Sequence, residues 1–249
     1  MTVVVDRQGA ALVVRIDRPE ARNALDPATC GELVNAFGVA EADDDIRCLV
    51  LTGTGDKAFC AGMDLKAFAA GAEAVSPLTG FLRRNFPKPI IAAVNGPALA
   101  GGFELVLTCD LVVAADHAWF SLPEVARGLF AAGGGTFLPR RLPLPLALEL
   151  GLTGGRLDAG QALAVGLVNR VVPPEQVMPE ALQLADAIAA NSPLGVRATK
   201  ALMRATAQAG SEGLWAMVDR AKDEVFTSND AKEGSTAFIE RRSPHWSGT

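Results

Sequence analysis

The stretch from Ile90 to Asp110 constrains this chain most. Ile90 to Val94 is an uninterrupted apolar run, so it reads as a strand covered on both faces. The run breaks at Asn95-Gly96-Pro97, and the pattern resumes as a helix opening near the adjacent Gly101 and Gly102, with Glu104 in its first turn. A helix N-terminus carries N–H groups without intrahelical partners and the positive end of the helix dipole, and glycine there lets a ligand approach the main chain. The segment therefore has the outline of an oxyanion site with a carboxylate beside it. Taken alone, it reads equally well as a helix start with a solvated acid.

The flanking sequence repeats the alternation of strand and helix. Two Val-rich segments, residues 2–6 and 11–17, surround Gln8-Gly9 as a hairpin. Asp26 followed by Pro27 is an N-cap with proline at the first helical position, and Leu33, Phe37 and Ala40 supply a helical apolar stripe. Ile46 to Thr52 is a largely apolar strand, and a strand after a helix implies a crossover and buried parallel pairing. Leu111 to Ala115 repeats the pattern.

Residues 67–86 are weakly patterned and are a candidate mobile wall over a site. Glu124 follows Pro123 in a turn or short helix, where a glutamate is by default solvent-exposed, and Gly133-Gly134-Gly135 loops into another helix. From about Pro143 the pattern becomes mostly helical, with one strand at Leu167 to Val172. Ala-rich amphipathic helices follow at Glu175 to Ala190, Pro193 to Ala209, Ser211 to Thr227 and Asn229 to Arg242. Such an arm packs against its own core or a partner subunit.

Several function classes fit poorly. In a chain of 249 residues a net charge of -5 gives no basic field for nucleic acid or an anionic membrane. The N-terminus lacks a signal-peptide pattern, and no uncharged apolar run approaches the roughly 20 residues of a membrane span, so a cytoplasmic protein is expected. Cys30, Cys48, Cys60 and Cys109 form no CxxC pair, and His117 and His245 are the only histidines, so neither a metal site nor a disulfide is expected. Cys60 and Cys109 read as small buried apolar residues, His117 as a strand-end residue and Arg140-Arg141 as a solvated pair. Gly53 and Gly55 complete no phosphate-binding loop, and there is no GxSxG elbow.

Five separated segments together carry a resemblance. They are RPEARNAL (Arg18 to Leu25), AFCAGMDL (Ala58 to Leu65), NGPALAGGFELVLTCDLVVAAD (Asn95 to Asp116), FSLPEVARGLFAAGGG (Phe120 to Gly135) and DAKEGSTAFIERRSPHW (Asp230 to Trp246). In this order and spacing the chain resembles the crotonase (enoyl-CoA hydratase/isomerase) superfamily over essentially its full length, most closely its hydratases.

The resemblance implies an α/β fold: a spiral of repeated strand-strand-helix turns over residues 1–190, and a C-terminal helical oligomerisation region over 191–249 that builds a homotrimer or homohexamer. It implies an acyl-CoA thioester as substrate, with no separate cofactor. Carried over by motif, the backbone donors to the thioester oxygen are Met63 and Gly101, and the two acids of hydratases are Glu104 and Glu124. Ala61, Asp64, Leu65 and Lys66 would line the CoA loop, Ala24 would lie near the adenine end, and Phe238 and Arg241 would approach the CoA of a neighbouring subunit. The function so implied is reversible addition of water to a trans-2-enoyl-CoA in acyl-CoA degradation. The alternatives are isomerisation or a specialised hydroxyacyl-CoA dehydration in the same scaffold, or a non-catalytic CoA-ligand or RNA-binding protein. Ala100 departs from the pattern where many relatives have glycine, and Met63 replaces a smaller alanine.

Overall fold

The computed structural model describes residues 1–69, 78, 80, 82, 86–127, 129–208, 220, 224 and 227–249, without the side chains of 68, 69, 208, 235, 238 and 239. The chain opens with strands β1 (Val3–Gln8) and β2 (Ala11–Ile16), the expected hairpin. Helix α1 (Pro27–Ala42) starts at Asp26, whose carboxylate accepts from the Thr29 backbone N–H at 2.8 Å, as the Asp-Pro signal predicts. Then come β3 (Cys48–Gly53), the short helix α2 (Leu65–Ala69), β4 (Ile90–Val94), β5 (Ala98–Leu99) and helix α3 (Gly101–Thr108). Strands β6 (Leu111–Ala115) and β7 (Trp119–Ser121) lead into a 3-10 turn at Pro123–Arg127 and a second at Gly135–Arg140. The remaining elements are α4 (Leu144–Thr153), β8 (Leu157–Asp158), α5 (Ala159–Ala164), β9 (Arg170–Val172), α6 (Val177–Ala189), α7 (Pro193–Gln208) and α8 (Asn229–Glu240). The expected helix Ser211 to Thr227 and most of the proposed wall at 67–86 lie outside the described residues.

The main sheet has the order β1-β2-β3-β4-β6-β9, parallel from β2 onward. Every residue of β3 and β4 is buried, as expected of central parallel strands covered on both faces. On one side α6 packs Val177, Ala181 and Ala185 into the sheet, one small residue per turn, so the helix can approach closely.

A second layer runs beside the main sheet. Isolated parallel bridges join Leu25 to Met63 and Cys60 to Ala98, β5 pairs with β7, and β7 pairs with β8. Strands β2, β3, β4 and β6 are thus each followed by a short extended piece of this second layer, and then by a helix or 3-10 turn. This is the expected α/β spiral. The pieces β5, β7 and β8 have two or three residues each, too short to register as periodicity, so β5 went unread between the Asn95-Gly96-Pro97 turn and the helix that opens at Gly101 as expected.

Close main-chain contacts hold the layer together. A Cβ on Gly102 would sit 2.2 Å from the Cys60 carbonyl oxygen, and one on Gly62 would sit 2.7 Å from the Ala100 Cβ. Both positions need glycine because two backbones cross there. The C-terminal arm is tied to the core. On α7, Lys200 donates to the Lys88 carbonyl at 2.7 Å and Arg204 meets Asp110. Asp230 of α8 is buried and accepts from the Ser247 backbone N–H at 2.7 Å.

Candidate active site

The second layer brings the CAGMD loop against the start of α3. Leu25 donates to the Gly62 carbonyl at 2.8 Å and accepts from the Asp64 N–H at 2.9 Å. In that parallel bridge the N–H of the intervening Met63 points to the opposite side. A Cβ on Gly101 would lie 3.7 Å from the Met63 nitrogen. Gly101 is the first residue of α3, so its N–H is beyond reach of the intrahelical ladder. Among the described residues neither N–H has a backbone acceptor. The two donors expected from the sequence therefore stand side by side. Ala100, just before them, is held at φ 48°, ψ -125°. This backbone region suits glycine, and an alanine there stores strain.

Pairing of β5 with β7 sets the two acids. Leu99 lies opposite Ser121, and the Ala100 N–H donates to the Ser121 carbonyl at 3.0 Å, so the chain leaves adjacent strand ends into α3 and into the 3-10 turn. Glu104 is 6% exposed, and its Oε1 accepts from the Gly135 N–H at 2.9 Å. Burial pushes its carboxyl upward, while the amides of Gly135 and Gly133 favour the ionised form and offset part of that push. Glu124 is not the exposed residue that its turn suggested. It is half-buried, and its Oε2 is the one buried side-chain oxygen or nitrogen among the described residues without a hydrogen-bond partner. Burial raises its pKa, its own backbone N–H opposes, and the nearby Glu104 charge raises it further. Burial thus pushes both carboxyls upward, and the two groups influence each other's ionisation.

Asp64 turns inward. Its carboxylate meets Arg18 at 3.1 Å and accepts from the Lys66 N–H at 3.1 Å, starting α2. Burial raises its pKa, but Arg18 and the amides of Ala67 and Lys66 outweigh that and leave it lowered. Arg18 also donates to the Ala24 carbonyl at 2.6 Å, so one guanidinium fixes the Ala24 loop to the Asp64 loop, a role not singled out in the sequence. Ala61 is half-buried, whereas Leu65 and Lys66 are exposed. Arg241 is exposed just past α8, and the Phe238 side chain lies outside the described residues.

A cavity of about 1190 Å³ opens beside Glu104, between the second half of α3, the Gly133–Arg141 segment and α7. Its wall is mainly apolar, with Leu107, Phe86 and Met203, and also carries Arg141, Lys200 and Arg204. Arg141 corrects the expectation of a solvated arginine pair. Arg140 is exposed over the Phe137 ring, but Arg141 turns inward to the carbonyls of Leu107 and Cys109 at 3.2 and 3.4 Å. In the sequence Gly133 and Gly135 mark a flexible or tightly turned loop and nothing more. Their contact with Glu104 spans about 30 residues of sequence and left no local signal. The four cysteines are buried, with thiols pushed by burial to about 12, as inert apolar residues should be.

A spiral α/β protein with two main-chain N–H groups beside a buried pair of carboxyls belongs to the class that can steady an oxyanion and move a proton next to it. Comparison with known proteins gives the family. The family described as enoyl-CoA hydratase/isomerase matches residues 6–249, and the chain belongs to it. The chain is 41% identical over 254 residues to the enoyl-CoA hydratase EchA19 of Mycobacterium tuberculosis, covering 98% of this chain and 95% of the relative. It is also 41% identical to a carnitinyl-CoA dehydratase of Proteus mirabilis, covering 97% and 96%. A crystal structure of an enoyl-CoA hydratase from Mycobacterium tuberculosis H37Rv superposes with a TM-score of 0.95 at 45% identity, over 100% of this chain and 99% of that one. The chain is accordingly an enzyme with the crotonase fold, a hydro-lyase of this family.

Proposed function

We propose that the protein adds water reversibly to a trans-2-enoyl-CoA, giving the 3-hydroxyacyl-CoA. The observation that carries this reading is the pair of acids: Glu104 anchored by the Gly135 amide, and Glu124 with a buried oxygen that nothing in the described chain satisfies. Adding water places hydroxyl on C3 and a proton on C2, and the thioester oxygen gains enolate-like charge. The N–H groups of Met63 and Gly101 meet that charge, and losing one such donor typically costs about 100-fold to 1000-fold. Glu104, ionised, holds and deprotonates the water. Glu124, protonated, delivers its proton to C2, and the roles exchange in the reverse direction. Ala24, Ala61, Leu65, Lys66 and, through its backbone, Asp64 form the CoA cradle. The enzyme works without a separate cofactor as a cytoplasmic homotrimer or homohexamer built through residues 191–249, where Phe238 and Arg241 reach the neighbouring CoA.

A relative's name raises dehydration of a carnitinyl thioester. That acyl group carries a trimethylammonium, and quaternary ammonium groups are recognised by aromatic cages. The described wall has Phe86 and Phe137, but its far end carries Arg141, Lys200 and Arg204 around Asp110, a net positive set of the wrong sign for such a group. The test follows the absorbance of the conjugated thioester with crotonyl-CoA, 3-enoyl-CoA and crotonobetainyl-CoA offered separately. Hydration of crotonyl-CoA, lowered at least about 100-fold in Glu104→Gln and in Glu124→Gln, is the expected result. Near-wild-type turnover in either folded variant refutes the assignment.

A further inference from the structure

We propose that the cavity beyond Glu104 receives the far end of a long acyl group that ends in a carboxylate, so that the preferred substrates are thioesters of dicarboxylic rather than monocarboxylic acids. This rests on the hydratase reading and extends it to substrate class.

Size is the first observation. The cavity holds about 1190 Å³, while pockets of roughly 300–1,000 Å³ suffice for drug-sized ligands. A four-carbon crotonyl group leaves most of that space unfilled. Glu104 stands in the cavity wall, so an acyl chain whose C3 lies against its carboxylate continues directly into the space.

Charge is the second. Just past the end of α3, on the order of 9 Å along the chain axis from Glu104, the wall passes from Leu107 to a cluster of Arg141, Lys200 and Arg204 around Asp110. Asp110 is fully occupied: it accepts from the Ile90 N–H at 2.8 Å and pairs with Lys200 and Arg204, each at 2.7 Å. Arg141 has no carboxylate partner among the described residues and donates only to main-chain carbonyls. Among the described residues this end of the cavity thus sets three cations, Arg141, Lys200 and Arg204, around the single carboxylate of Asp110.

Capping the C-terminal carbonyls of α3 accounts for part of the cluster, since Arg204 also donates to the Thr108 carbonyl at 2.8 Å. The negative end of a helix dipole amounts to roughly half a charge, which leaves most of the excess uncompensated. Half-buried charges are stable when paired, and an anionic chain end arriving through an apolar channel supplies the missing partner. A purely apolar chain end would leave the guanidinium of Arg141 desolvated and unpaired.

The experiment compares kcat/KM for crotonyl-CoA, trans-2-decenoyl-CoA and the mono-CoA thioester of trans-2-decenedioic acid. The dicarboxylic thioester should exceed decenoyl-CoA by at least about tenfold, the size of one charged hydrogen bond. In Arg141→Gln the ratio between those two should fall towards one. Equal values for the two ten-carbon thioesters in the wild-type enzyme, or a preference for decenoyl-CoA, overturn the proposal while leaving hydration intact, and that comparison does not depend on the variant folding. Crotonyl-CoA alone being hydrated overturns it as well. Hydration of none of the three removes the hydratase reading together with the proposal.

Discussion

Gly133 separates catalytic geometry from folding more cleanly than either acid does. A Cβ built on it lies 2.5 Å from Glu104 Oε2, 3.0 Å from Glu104 Cδ and 3.2 Å from a methyl of Leu82. Against an ordinary contact of about 3.5 Å, Gly133→Ala therefore drives the carboxylate back by roughly 1 Å. The displaced atoms end a flexible side chain, so the fold yields there cheaply, and the weakened contact with the Gly133 amide costs about 1 kcal/mol of stability. Catalysis depends on the water held by that carboxylate, and a misplacement of about 1 Å can cost on the order of 100-fold. Expected, then, is a kcat for crotonyl-CoA hydration about 100-fold down in a protein that unfolds at nearly the wild-type denaturant concentration. Gly151→Ala on α4 is the control, because a Cβ there meets nothing within 4 Å. A Gly133→Ala enzyme that keeps a kcat within about threefold of wild type would refute the role given to Glu104's position.

Two further outcomes concern stability. Burial and the Glu104 charge raise the Glu124 pKa, so the folded chain holds a proton there that the unfolded chain releases as pH rises above the usual carboxylate range. Wild-type stability is therefore lowered by Glu124 at high pH and unaffected by it below the unfolded pKa. Glu124→Gln should raise Tm in neutral and alkaline buffer, with the difference vanishing as pH falls below the ordinary glutamate range. A constant difference across pH would contradict the buried, repelled carboxyl. At φ 48° Ala100 carries strain of roughly 1–3 kcal/mol, and relief of it outweighs the extra chain entropy of glycine, so Ala100→Gly should stabilise by about 1 kcal/mol in urea unfolding. A less stable variant would show that the strained conformation is supported by packing of the alanine methyl.

Residues close in sequence fixed what local physics can fix. Asp26-Pro27 started α1, the apolar runs at 90–94 and 111–115 became buried parallel strands with those bounds, and Gly101 opened a helix with Glu104 in its first turn. The motif pattern implied the family and the spiral. Tertiary structure decided what depends on contacts between distant turns. Glu124 looks like a surface residue from its own neighbours, and only stacking of β7 on β5 turns its carboxyl inward beside Glu104. Arg141 is a polar residue in a loop until α3 offers its carbonyls, and Gly133 is a loop glycine until Glu104 lies against it. A proton affinity depends on charge, dielectric and hydrogen bonds within a few ångströms, and in a spiral fold those neighbours come from the next turn of the chain. The sequence therefore names the chemical groups, and the packing of successive turns shifts their proton affinities.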